Sequence, residues 1–229
     1  MLKSFNVNGT SLVTAIEGTG RPVLLIHGNG ESHELFTVSI RQLVEACYQV
    51  IAPDSRGQGA NPPLPEYHYA DMAEDMYQLI KELGLEKPAV YGFSDGGIIT
   101  LLLELMHPGT AGILAISGTN RSPQGVIPSF REEFKDNQEP LVRLMLTEPH
   151  IAPEELEKIT APVLVTAGSN DLILREETET IARHLPNSEL VILEGEDHGS
   201  YIVHCDKIAN LIIDYCRQTT DVVQNGEKI

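Results

Sequence analysis

Two short segments of mixed apolar and polar residues, 3–7 and 11–17, flank Asn8-Gly9 near the start of the chain. An Asn-Gly pair accepts the positive φ values of a two-residue turn, so this stretch predicts a β-hairpin. The pattern then changes. Pro22-Val23-Leu24-Leu25-Ile26 is apolar at successive positions and stops at His27-Gly28. Unbroken rather than alternating apolarity predicts a strand covered on both faces, as in a parallel sheet. Comparable runs recur at residues 48–52, 88–91, 112–117, 162–167 and 189–193. Helical periodicity fills the intervals at 35–46, 69–83, 98–106 and 175–185, and again at 201–217, after which the polar tail 218–229 is expected to fray. Strands alternating with helices predict an α/β fold: a mostly parallel central sheet flanked by helices, with reactive residues at the carboxyl ends of the strands.

Residues 119–160 break the alternation. They hold no strand-like run, only two short amphipathic segments at 127–136 and 140–146. A plain connection is rarely so long, so a small helical cap inserted into a single domain spanning 1–229 is expected. A length of 229 residues supports one substantial core and is short for two. A cap over the strand ends would exclude water and shape a pocket, with Leu141, Leu144 and Met145 as candidate wall residues.

The chemistry starts at Gly92-Phe93-Ser94-Asp95-Gly96-Gly97, which follows an apolar run and precedes a helical one. Strand, tight turn, helix is the context in which a Gly-x-Ser-x-Gly turn lifts one hydroxyl off a sheet edge. Gly92 and Gly96 leave room where strand and helix nearly touch. A serine hydroxyl needs a base to take its proton and a third group to hold that base. His198, on the loop after the last predicted strand, is the candidate base. Asp171 directly follows the strand at 162–167 and is the candidate acid. The rival acid position, Gly118-Thr119-Asn120, offers no carboxylate, and Asp197 adjoins the base too closely to reach its far ring nitrogen. An oxyanion would be met by the Asp95 N–H at the helix start and by an N–H of His27-Gly28-Asn29-Gly30, that of Asn29 being the candidate. His27 is read as organising its own turn, and His33 as a candidate pocket residue.

Taken in order, His27 to Gly30, Asp54-Ser55-Arg56-Gly57-Gln58-Gly59, Gly92 to Gly97, Gly168 to Asp171 and Asp197-His198-Gly199 resemble the landmarks of the α/β-hydrolase superfamily. The resemblance implies the α/β-hydrolase fold and serine-hydrolase chemistry in the chain order Ser94, Asp171, His198. It assigns Asp54 to Gly59 to a structural turn, in which Arg56 would pair with a carboxylate. The elbow is similar to that of valacyclovir hydrolase-like members, with a shorter cap here. That similarity implies a role for Asp95 in holding a substrate amino group; a helix-dipole partner is the alternative.

Composition narrows the function classes. With 16 Lys and Arg against 33 Asp and Glu, a net charge of −17 argues against nucleic acid or anionic membrane as partner. Three cysteines, Cys47, Cys205 and Cys216, give no disulfide framework and are expected to be buried in packing. No signal core or spanning run is visible, so a cytoplasmic location is expected. The expectation is a serine esterase acting on small-molecule carboxylic esters, amides or thioesters, with no metal or organic cofactor. A non-turnover receptor on the same fold, and cofactor-free carbon–carbon hydrolysis or perhydrolysis, remain open alternatives.

Overall fold

A computed structural model describes the backbone of residues 1–225 and side chains through residue 219. The opening hairpin pairs β1 (Leu2–Val7) with β2 (Thr10–Glu17), and its turn residues Asn8 and Gly9 have φ of 45° and 75°. Then follow β3 (Arg21–Ile26), α1 (Thr37–Glu45), β4 (Tyr48–Pro53), α2 (Tyr69–Glu82), β5 (Ala89–Phe93), α3 (Asp95–Met106) and β6 (Ile113–Ser117). Short helices α4 (Pro128–Phe134), α5 (Pro140–Thr147) and α6 (Pro153–Leu156) occupy the interval that lacked strand signals. The chain returns to the sheet with β7 (Val163–Asn170), α7 (Arg175–His184), β8 (Ser188–Asp197) and α8 (Lys207–Asn225).

The sheet runs β1-β2-β4-β3-β5-β6-β7-β8; β2 is antiparallel to both neighbours, and every later pairing is parallel. The molecule thus has the α/β-hydrolase architecture expected from the alternation of apolar runs. All residues of β5 and β6 are buried, because alternate side chains enter cores on opposite faces. Leu24, Val90, Leu114 and Val165 pack with Met72, Met76 and Leu79 of α2. Val23, Leu25, Tyr91 and Ala115 pack on the other face with Ile40 and Leu43 of α1 and Ile208 and Ile212 of α8.

Register is what matters for the site. Ile26 lies beside Gly92, Phe93 beside Ser117, Ser117 beside Thr166, and Asn170 beside Asp197. The loops opened by His27, Ser94, Gly118, Asp171 and His198 therefore meet along one edge.

Some expectations shift. The last helix starts at Lys207 rather than Tyr201, and it continues to Asn225 instead of fraying after 217; residues 226–229 lie outside the described residues. Tyr201 and Ile202, which supplied the early apolar signal, are buried in turns ahead of that helix. Cys216 is buried, but Cys47 is exposed, at φ 66° in the turn between α1 and β4. Its apolar neighbours point to the core, while the turn carries Cys47 outward.

Candidate active site

Ser94 stands between β5 and α3 at φ 53°, ψ −116°, a conformation that costs a side-chain-bearing residue about 1–3 kcal/mol. Its surroundings impose it. The Ser94 N–H donates to the Ser117 carbonyl at 2.8 Å, and the Ser94 carbonyl accepts from Gly97 and Ile98 at 2.9 and 3.3 Å. A Cβ on Gly92 would sit 2.0 Å from the Gly96 carbonyl oxygen, and one on Gly96 2.1 Å from that of Ile26. The glycines permit the close crossing that turns the hydroxyl out.

His198 follows β8, and its Nε2 lies 3.1 Å from Ser94 Oγ. Its Nδ1 lies 2.6 Å from Asp171 Oδ1. The Asp171 side chain is only 2% exposed, and its carboxylate also accepts N–H bonds from Ile173 at 2.9 Å and Gly168 at 3.2 Å. A carboxylate held by three donors has one orientation, so it fixes the imidazole as the tautomer with Nδ1–H donating and Nε2 free to accept. Asp197 accepts instead from the N–H groups of Gly199 and Ser200 and does not reach the far ring nitrogen. The Phe93 ring covers the imidazole, with centroids 5.0 Å apart.

Gly118 belongs to this arrangement, although it offers no chemistry. A Cβ there would lie 2.8 Å from His198 Cε1, 2.9 Å from Nδ1 and 3.4 Å from Asp171 Oδ2. The sequence marks Gly118 only as a glycine after a strand. Its value depends on what two distant loops bring against it.

The loop after β3 is braced from several sides. His27 Nε2 accepts the Ser55 N–H at 2.9 Å, so Nδ1 carries the proton and donates to the Gly28 carbonyl at 2.7 Å. Burial lowers the His27 pKa and favours that neutral form. The Asn29 side chain donates to Asp95 Oδ2 at 2.8 Å and to the Leu141 carbonyl at 3.1 Å, linking the loop to α3 and α5. Among the described residues the Asn29 N–H has no protein acceptor. That of Asp95 opens α3, where no intrahelical carbonyl lies four residues back. Glu31, which sequence reasoning passed over, accepts the Gly28 N–H at 2.9 Å, and burial raises its pKa.

Asp95 is 5% exposed, and its carboxyl is raised from 3.8 to about 6. Burial dominates that shift; the Asn29 amide, the Tyr69 phenol and the His198 charge oppose it. Asp95 is thus a desolvated carboxyl that anchors Asn29.

A cavity with about 470 Å³ of atom-free space, mouth included, opens over Ser94 and His198. Asp95 and Met145 line it. Three other expected wall residues do not. Leu144 turns into the core at 3% exposure, because the inner face of α5 packs on the domain below. Leu141 contributes its carbonyl to Asn29, and its side chain packs against the same core. His33 bonds to the buried Asp54, with Nδ1 and backbone N–H each 2.7 Å from Oδ1. The walls come instead from Val126, Phe130, Leu146, Leu172 and Ile173, with Arg131 and Tyr69 among the polar lining. Among the described residues no group of three or more His, Cys, Asp or Glu side chains could hold a metal ion. No described helix is long and apolar enough to cross a membrane.

Residues 21–126 match the family model described as alpha/beta hydrolase fold. The AB hydrolase superfamily protein YisY of Bacillus subtilis is 26% identical over 247 residues, covering 86% of this chain and 92% of that protein. The chain has the α/β-hydrolase fold and is similar to members of that superfamily. Human serine hydrolase BPHL is 25% identical, covering 91% of this chain and 84% of BPHL. An esterase (EaEST) from Exiguobacterium antarcticum shares the fold, with TM-score 0.83, 21% identity and coverage of 95% and 100%.

Proposed function

We propose that this α/β-hydrolase is a serine hydrolase that cleaves small carboxylic esters through an acyl-enzyme. The observation that carries the reading is the unbroken relay from Ser94 Oγ to His198 Nε2 at 3.1 Å and from His198 Nδ1 to Asp171 at 2.6 Å. His198 takes the hydroxyl proton as Ser94 attacks the carbonyl, and it returns that proton to the leaving alkoxide. Asp171 keeps the tautomer and stabilises the imidazolium. The N–H groups of Asn29 and Asp95 receive the charge that develops on the carbonyl oxygen. Water, activated by the same imidazole, then releases the acid.

The relatives support hydrolase chemistry: BPHL bears the name serine hydrolase, and a 24%-identical Neisseria meningitidis relative is a pimeloyl-[acyl-carrier protein] methyl ester esterase. The Asp95 oxygen not bonded to Asn29 would take a substrate amino group where one is present. The test is labelling by a fluorophosphonate and turnover of p-nitrophenyl acetate. Wild type should be labelled at Ser94 and show an acyl burst, and Ser94→Ala should lose both while keeping its melting temperature. An unlabelled wild type with no ester turnover would refute the proposal.

A further inference from the structure

Arg131 on α4 lines the cavity together with Ser94 and His198. It is the one Lys or Arg among the described lining residues. Its Nε–H donates to the Val126 carbonyl at 3.1 Å, which fixes the side chain beside the cavity. Its terminal guanidinium nitrogens have no carboxylate within 4.0 Å among the described residues. Arg56 is paired with Asp75, Arg121 with Glu177, and Arg175 with Glu179, while Arg41, Arg143 and Arg183 share with Arg131 the lack of an ion pair among the described residues. What sets Arg131 apart is its place in the cavity lining. The acids beside Arg131 on its own helix do not neutralise it. Glu132 pairs with Lys135, and both Glu132 and Glu133 are exposed away from the cavity lining.

The apolar part of the lining is built by Val126, Phe130, Met145, Leu146, Leu172 and Ile173, and Tyr69, Asn120 and Asp95 join Ser94, His198 and Arg131 as its polar residues. A guanidinium at the edge of an apolar slot offers a planar fork of donors, and its natural complement is a carboxylate. Asp95 also faces the cavity but makes no ion pair with Arg131, so the acidic and basic poles are separate. A substrate carboxylate is repelled from the first and drawn to the second.

We propose that Arg131 is a specificity residue that anchors a carboxylate at the far end of the acyl group. The preferred substrates are then half-esters of short dicarboxylic acids, with the apolar wall holding the methylene chain. The inference rests on Ser94 being the acylated residue, and it names the acyl class for that reaction.

The test reads binding, which does not require turnover. Ser94→Ala protein is titrated calorimetrically with the monomethyl and dimethyl esters of succinic, glutaric and adipic acids. At least one half-ester should bind about tenfold or more tightly than its diester, the worth of one charge-assisted hydrogen-bonded pair. That advantage should vanish in Ser94→Ala/Arg131→Gln and invert in Ser94→Ala/Arg131→Glu, with circular dichroism verifying that each variant is folded. Equal affinity for half-ester and diester, no measurable binding of any half-ester, or an advantage that survives Arg131→Gln would each overturn the proposal. Failure of the hydrolase reading is a different result, absence of Ser94 labelling in the wild type. The two are therefore told apart.

Discussion

Gly118→Ala changes one hydrogen for a methyl at a residue with no side-chain chemistry, yet the geometry makes it a severe perturbation of the relay. The new Cβ would stand 2.8 Å from His198 Cε1, whereas ordinary contact begins near 3.4 Å. The ring must retreat by about 0.6 Å, or the β6 loop must move by as much. The His198–Ser94 hydrogen bond is already 3.1 Å long, so a shift of that size along it breaks the bond. A displacement of about 1 Å at a reacting group costs roughly 100-fold, and a loss of about 10- to 100-fold in kcat is expected here. The backbone contributes separately. Gly118 has φ 55°, and an L-residue there costs about 1–2 kcal/mol. For a chain of this size that corresponds to a melting temperature lower by roughly 2–8 °C. The assay is p-nitrophenyl ester kinetics beside a thermal melt. A variant with wild-type kcat would refute the argument that Gly118 makes room for His198, whatever its stability.

Asp95→Asn tests the buried carboxyl. A group raised from 3.8 to about 6 contributes most below pH 3.8, and that contribution is lost as pH rises through 6. The amide of the variant never ionises and keeps an oxygen for Asn29. Relative to wild type the variant should therefore gain roughly 2 kcal/mol between pH 4 and pH 8, read from urea midpoints; a difference constant with pH would contradict the burial argument. If the Asp95 oxygen not bonded to Asn29 also reads an amino group, aminoacyl esters should lose more kcat/KM than acetates in the same variant, and equal losses would dismiss that role. Arg56→Met should destabilise by about 3–5 kcal/mol, because Arg56 donates to both oxygens of the fully buried Asp75 at 2.6 and 2.5 Å. Asp75→Asn added to it should restore part of that loss, and a single variant melting within about 2 °C of wild type would show the pair to be dispensable.

The pairing of Arg56 with a carboxylate illustrates how far local pattern reached. An Asp-x-Arg-Gly-x-Gly turn implied some acid nearby, but only the packing of α2 beneath the loop selected Asp75. Likewise, apolar runs at 22–26, 88–91 and 112–117 marked strands buried on both faces, and each appears in the sheet interior. Such runs are legible because burial on two sides demands apolarity at every position. Residues expected at strand ends were legible for a related reason. Parallel register aligns the ends, so Ser94, Asp171 and His198 had to share an edge if their strands were neighbours.

Local pattern was enough to specify the alternation of strands and helices, the elbow turn with its glycines, and the set of residues able to exchange a proton. These follow from periodicity and backbone sterics, which act over a few residues. Long-range packing was needed to turn Leu144 toward the core while Phe130 and Arg131 line the cavity, to tie Asn29 to Asp95, and to require that Gly118 lack a side chain. The physical reason is range. Which face of a short helix meets solvent, ligand or core depends on surfaces contributed by segments tens of residues away, and no local pattern encodes them.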